Sequence, residues 1–328
     1  VKHVVSCQFH LWNALWRDLS VESIVIPLSK EFIEWLVSGK FTSDAAQCSV
    51  EEFPDCDSVF SADDVQSGGN EILFPELRES IQRAIDDLGG SVIPKLNWSS
   101  PKDAVWMNWT GNLKCTDSEQ VILLLKSSDC IMHDLTEPFS FCEDESEHEN
   151  LQNNEIQYYI VLRKWETIEP ASEFRCFVSN DKIIGISQRN HSQYFDFLKN
   201  LTKSIQNTVI DFFDVNMKGK FASNTYVFDV YLKNLTKTPS AVLLDINPFG
   251  RVTDSLLFSW EELFLLHIAM CNEEASHKIE TDFRYIAEPI HIQPTLSTSN
   301  AKPIDDVDVT TMQGMLELMR LQKAQQHS

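Results

Sequence analysis

Two neighbouring runs, Tyr226-Val-Phe-Asp-Val-Tyr-Leu and Ala241-Val-Leu-Leu-Asp-Ile-Asn, set the strongest limit on what this chain can fold into. Their β-branched, aromatic and aliphatic content reads as strand, and a short polar connection joins them. Each carries an ionisable carboxyl in its interior, which is costly unless a cation or a set of donors meets it. Side chains alternate along a strand, so Asp245, Asn247 and Leu243 are expected on one face, with Leu244 and Ile246 turned into the core. Antiparallel pairing of the two strands adds Asp229 to that patch. Three oxygen-bearing side chains suit Mg²⁺, which takes carboxylates together with phosphate and water. A salt bridge or a turn cap fits the same spacing, and spacing alone leaves both readings open.

The charge balance narrows the choice of ligand. With 49 acidic residues against 27 Lys and Arg, the formal net charge is −22. A direct nucleic-acid binder is excluded, because phosphate contacts need fields of Lys and Arg; a basic protein partner is favoured. Against this acidic background Lys95 ends one strand-like segment and Arg163-Lys164 ends another. Arg175 lies within Glu173-Phe-Arg-Cys-Phe-Val, and Arg189 follows Ile186-Ser-Gln. Singly, each fits an ordinary ion pair, such as Arg175 with Glu173. Together, beside a Mg²⁺ site, they are the means of neutralising a triphosphate. No GxxxxGK[ST] loop, no GxGxxG after a strand and no HRD or DFG occurs, which excludes a P-loop, a dinucleotide fold and a protein kinase.

Eight cysteines without a CxxC pair read as reduced thiols, and the scattered histidines give no metalloprotease spacing. No apolar run approaches the roughly 20 residues that cross a bilayer. The opening VKHVVSCQFHLWNALW has no h-region of a signal peptide and is expected to be mature sequence, trimmed at its start. The sequons at Asn97, Asn108, Asn190, Asn200 and Asn234 then read as chance matches, and the chain is expected in the cytoplasm as a monomer.

The pattern along the chain is α+β. Ser23 to Leu28 reads as a strand, and residues 44–71, acidic without a base, read as a solvated insert. Pro75 opens a helix with Leu77, Ile81, Ala84, Ile85 and Leu88 at helical spacing, and Gly89-Gly90 closes it before the strand Ser91 to Lys95. Thr116-Asp-Ser-Glu119 reads as a capping box ahead of Val121 to Leu125. Strands are expected at 158–162, 173–178 and 182–188, with a hairpin turn at Asn180-Asp181, and a helix over 195–213. The two acid-bearing strands follow, then Asn247-Pro-Phe-Gly250 and a helix from Trp260. A second acidic stretch, 143–155, is expected to be a loop. The chain from 292 reads as a mobile tail ending in a short helix with Met312, Met315, Leu316 and Met319 on one face. These boundaries divide the chain into a lobe at 1–164, a lobe at 165–291 carrying the metal ligands, and the tail 292–328.

The segments GGSVIPKLNWSSPKDA, YIVLRKWETIEPASEFRCF, IIGISQRNHSQYFD, YVFDVY and LLDINPFGRVTDSLLFSWEEL resemble, in order and spacing, the cell division cycle protein 123 family. The resemblance implies an ATP-grasp fold of two α+β lobes with ATP in the cleft between them. It also implies an assembly chaperone that binds the gamma subunit of translation initiation factor 2 and promotes its joining to alpha and beta. Carried across by position, Lys95 meets the phosphates, with Asn97, Trp98 and Ser100 in the same wall. Arg163, Lys164, Trp165 and Glu166 form the hinge that holds adenine, largely through backbone atoms. Glu173 and Arg175 line the nucleotide, Arg189 reaches the phosphates, and Asp229, Asp245 and Asn247 ligate Mg²⁺.

Many ATP-grasp proteins are carboxylate-amine ligases, and a ligase or ATPase acting on an unknown acceptor is the alternative. Ligase chemistry uses a glycine-containing lid that excludes water. No glycine occurs between Gly111 and Gly185, and the acid-rich 143–155 stretch where a lid is expected would repel phosphate. The expectation is therefore ATP binding that sets lobe geometry, without ligase turnover.

Overall fold

The computed structural model describes residues 1–38, 73–142, 156–272 and 279–289. The acidic insert, the 143–155 stretch and the tail with its Met312 face lie outside them. The α+β character expected from the sequence is observed. One compact unit, residues 1–189 and 197–285, holds both sheets, while residues 190–196 and 286–289 belong to a second unit.

The first sheet has three antiparallel strands in the order β1-β3-β2: β1 is Ser23–Pro27, β2 is Val92–Lys95 and β3 is Tyr159–Lys164. Four helices contribute to its core: α3 (Lys30–Val37), α4 (Pro75–Asp87), α5 (Ser118–Lys126) and α6 (Asp129–Thr136). Two short helices precede them, α1 (Lys2–Ser6) and α2 (Phe9–Trp16). The Pro75 helix forms as expected, and Gly89 and Gly90 leave it at φ +92° and +84°, conformations open to glycine alone without strain. The capping expected at Thr116 is displaced by one residue: Asp117 is the cap, accepting from the Gln120 amide. Gln120 reaches back to the Thr116 amide, so the shorter acid sits at the helix entrance where its charge also meets the helix dipole.

The second sheet has five strands in the order β7-β6-β4-β5-β8. Its strands are β4 (Glu173–Ser179), β5 (Lys182–Gln188), β6 (Tyr226–Lys233), β7 (Ser240–Asn247) and β8 (Asp282–Arg284). Only β5 and β8 pair in parallel. The β4–β5 turn uses Asn180 and Asp181, both at positive φ, as a two-residue hairpin requires. Helix α7 (Thr202–Asn216) packs Phe213 on Phe228 at 5.9 Å between centroids. It starts later than 195 because Asp196–Asn200 is a 3-10 turn, whose spacing of three imitates a helical stripe.

The other face meets helix α8 (Trp260–Cys271), entered through a complete capping box of Ser259 and Glu262. Phe177, Val227, Phe258, Trp260 and Leu263 form the core there. Gly185 sits directly under the Phe258 ring: a Cβ on it would lie 2.7 Å from the ring tip. That ring cannot move away, since Phe177 flanks it at 5.3 Å and the Arg284 guanidinium covers it at 4.0 Å. Gly185→Ala is therefore expected to destabilise the protein by about 1–3 kcal/mol in urea unfolding, as overpacking does.

Candidate functional site

A row of directly opposed residues crosses the second sheet. Asp245 faces Asp229, Asp229 faces Arg175, Arg175 faces Ser187, and Ser187 faces Arg284. Two carboxylates placed opposite one another repel, so each needs its own cation. Asp229 has Arg175, which donates from Nε to Oδ1 and from Nη2 to Oδ2, both at 2.8 Å. The remaining arm of Arg175 donates to the Asp254 carbonyl at 2.7 Å. Arg189 stands 3.7 Å from the same carboxylate. Burial pushes the Asp229 carboxyl upward, but the Arg175 charge and hydrogen bonds, with Arg189 and Lys102, outweigh it and bring the pKa to about 2.

Asp245 has Lys95, whose ammonium donates to Oδ1 at 2.8 Å and Oδ2 at 3.0 Å. Lys95 is 1% exposed and comes from the end of β2, so this ion pair joins the two sheets. Asn247 faces Val227 one pleat along from Asp245, and its Nδ2 is buried without a partner among the described residues. The face argument thus holds for Asp229, Asp245 and Asn247. It fails for Leu243. Asp229 lies opposite Asp245 but Val230 lies opposite Leu243, so Leu244 is an extra, bulged residue and Leu243 turns to the opposite face.

Arg163 lies in β3 with its guanidinium 5.7 Å from the Phe9 ring and its Nε buried without a partner among the described residues. Burial draws its pKa down while Asp245, Glu173 and Glu166 draw it up. Glu173 is raised by burial, against Arg189, Lys102 and Arg163 and with the repulsion of Asp229. Lys95, Arg163, Glu173, Arg175, Arg189, Asp229, Asp245 and Asn247 therefore gather around one cluster.

The other expected residues are placed less directly. The Asn97 side chain is used up: Nδ2 donates to Gln8 Oε1 and the Gln157 carbonyl, and Oδ1 accepts from the Tyr159 amide. Trp98 Nε1 donates to the Val4 carbonyl. The Ser100 carbonyl accepts from the Lys102 amide. Lys164 pairs with Glu22 and Glu166 with Lys233. The amides of Lys164 and Trp165 donate to the Glu22 and Ser91 carbonyls, so a base held at this hinge would use other backbone groups.

One residue of the cluster escaped the sequence reading. Lys102 stands in the 3-10 turn Lys102–Met107, between β2 and the bridge of Val92 with Cys115. Its ammonium forms no ion pair among the described residues. Neighbouring Arg189 lowers its pKa to about 8, helped by crowding in the cleft although the side chain stays solvent-accessible, and against Asp229 and Asp245. The available signal was its place seven residues after Lys95 in a segment with no other base.

Residues 12–310 match the D123 family. The chain belongs to this family. Among D123 relatives, the translation initiation factor eIF2 assembly protein of Xenopus laevis is 38% identical over 325 residues, covering 94% of this chain and 92% of that one. Its Xenopus tropicalis counterpart is 37% identical over 339 residues, with 99% and 98% covered. The structure of Cdc123 from Schizosaccharomyces pombe superposes with a TM-score of 0.68 at 34% identity, covering 88% of this chain and 98% of that one. The resemblance read from the motifs is borne out, and with it the α+β fold class.

Among the described residues of this D123 chain, no group of three or more His, Cys, Asp and Glu could hold a metal. Asp229, Asp245 and Asn247 supply two carboxylates and one amide. That set suits a hard cation only if the ligand's own oxygens complete its shell.

Asp134 buttresses the wall behind Lys95, accepting from the Ser99 amide at 2.8 Å and the Ser99 hydroxyl at 2.9 Å. Burial raises its pKa from 3.8 to about 6, against those bonds and Lys95. The two aspartates predict opposite pH responses. The depressed Asp229 contributes stability above the unfolded pKa, lost as pH falls through about 2. Asp229→Ala, which leaves Arg175 buried and unpaired, should cost about 3–5 kcal/mol near neutrality. Its gap from wild type in urea unfolding should close between about pH 4 and pH 2. The raised Asp134 costs stability as pH rises. Relative to Asp134→Asn, wild type should lose about 3 kcal/mol between pH 4 and 6, from a shift of about two units.

Proposed function

We propose that this protein is an Mg-ATP-binding assembly factor for the eIF2 heterotrimer, acting on the gamma subunit. The relatives named as eIF2 assembly proteins support the assembly role. One observation supports the nucleotide reading above the rest: five cations, Lys95, Lys102, Arg163, Arg175 and Arg189, gather around Asp229, Asp245 and Glu173 in a chain of net charge −22. Among the described residues, Lys102 and the Nε of Arg163 are left without acceptors, a surplus that suits a polyphosphate.

In this reading the lobes are 1–164 and 165–291, with the cleft between them. Asp229, Asp245 and Asn247 would hold Mg²⁺, which supplies charge neutralisation at the triphosphate. Lys95 exchanges its acceptor, leaving Asp245 for a phosphate oxygen, and Lys102 and Arg189 neutralise the remaining charge. Arg175 stays on Asp229 and keeps that carboxylate ionised and oriented. Glu173 and the 163–166 segment bound the nucleoside end. Because these residues come from both sheets, holding a nucleotide between them would tie the sheets together and fix the surface offered to the partner without a bond being made.

Mg-ATP is expected to raise the melting temperature by mass action, with about 2.7 kcal/mol of stabilisation at a hundredfold excess over Kd. Asp245→Asn, which keeps an acceptor for Lys95, should remove most of that gain. Pull-down of the eIF2 gamma subunit by wild type and Asp245→Asn, with and without Mg-ATP, tests the coupling. No shift in wild type would overturn nucleotide binding, and ADP release dependent on an amine or carboxylate acceptor would overturn the non-ligase reading.

A further inference from the structure

A cavity of about 420 Å³ shares Asn247 with the ion cluster, and its size is within the range of ligand sites. Its apolar walls include Trp98, Phe141 and Val252. Phe141 and Val252 are 70% and 49% exposed, so large apolar groups stand open at its rim. Among the described residues its titratable lining includes Asp129, Asp134 and His133, with no Lys or Arg. The Asp134 oxygens are occupied by Ser99, whereas the Asp129 carboxylate makes no hydrogen bond or ion pair among the described residues. Asn247 also lines it, and its buried Nδ2 has no acceptor among the described residues.

These groups specify an occupant in three parts. A long apolar stem is needed for Trp98, Val252 and Phe141, a cationic head for Asp129, and a carbonyl oxygen for Asn247 Nδ2. A free metal ion offers no stem, an anion meets the wrong charge, and an aliphatic side chain leaves Asp129 and Asn247 unanswered. Arginine in a polypeptide supplies all three, and its planar guanidinium stacks on aromatic faces where an ammonium does not. We infer that this cavity receives an arginine side chain of a basic partner segment, with Asp129 as its counter-ion and Asn247 Nδ2 donating to the segment's backbone carbonyl. The charge complementarity agrees with the acidity of the whole chain, which draws basic partners. Asn247 also lies one pleat from Asp245, so the docked segment would share a residue with the ion cluster.

The test uses the full chain and Nα-acetyl-L-arginine amide, titrated while amide NMR spectra are recorded. Saturable shifts confined to the 129–134 and 247–253 segments are expected. Asp129→Asn should weaken binding about two- to fivefold, the scale of one exposed ion pair. Val252→Arg, at an exposed position that folding tolerates, should abolish it by filling the cavity. Equal affinity for the capped norleucine or glutamate amide would overturn the assignment, as would unchanged affinity in Asp129→Asn or the lack of saturable binding in wild type. Stabilisation by Mg-ATP, measured on the same two variants, keeps failure of this site distinct from failure of the nucleotide site.

Discussion

The structure depends on keeping Asp229 and Asp245 directly opposite one another in β6 and β7. Left alone, that pair would push the two strands apart at a buried position. Two cations from different sources prevent it. Arg175 comes from the adjoining strand of the same sheet, and Lys95 from the other sheet. A repulsion inside one sheet is thereby converted into an attachment between two. The Leu244 bulge belongs to the same arrangement, since it sets Leu243 into the core while Asp245 stays on the ionic face.

Burial decides how these charges behave. Arg175 and Lys95 are 4% and 1% exposed, so each would be an uncompensated buried charge without an acid in contact. Beside them two buried donors, Arg163 Nε and Asn247 Nδ2, have no acceptor among the described residues. Buried donors without acceptors are rare in folded proteins, and each calls for an explanation. Both stand beside the same pair of carboxylates, which marks the place where the fold leaves hydrogen-bonding capacity over.

How much of this was legible in the sequence depends on the range of the interaction involved. Alternation along a strand is local, so Asp245 and Asn247 were placed together from their spacing, and Asp229 followed from antiparallel pairing. The bulge is a property of the pair, invisible in either strand alone, and it misplaced Leu243. Helices α2, α3 and α6 are eight residues each, too short for a convincing period, although Ser29 and Ser128 do cap the last two. Lys102 was missed because its role comes from a 3-10 turn that brings it within the electrostatic influence of Arg189, 87 positions along the chain. The bases that were found sit at strand ends or inside strands, where periodicity makes an unusual residue stand out.

The two central cations differ in kind, and the difference bears on which of them can respond to a ligand. Arg175 spends its fork on both oxygens of Asp229 and its third arm on the Asp254 carbonyl, a geometry that an incoming group could break only by losing three bonds at once. Lys95 is a point charge on a flexible stem, sharing one ammonium between two oxygens of a carboxylate that is 24% exposed. An ammonium can turn to a new acceptor without loss of a planar fit, and Asp245 is open enough for a metal to take its place. Arginine at position 95 would hold Asp245 too rigidly to exchange, and lysine at 175 would leave one oxygen of Asp229 uncovered. The fixed pair preserves the sheet, and the exchangeable pair, because it also joins the two sheets, is where binding can be felt as a change in their arrangement.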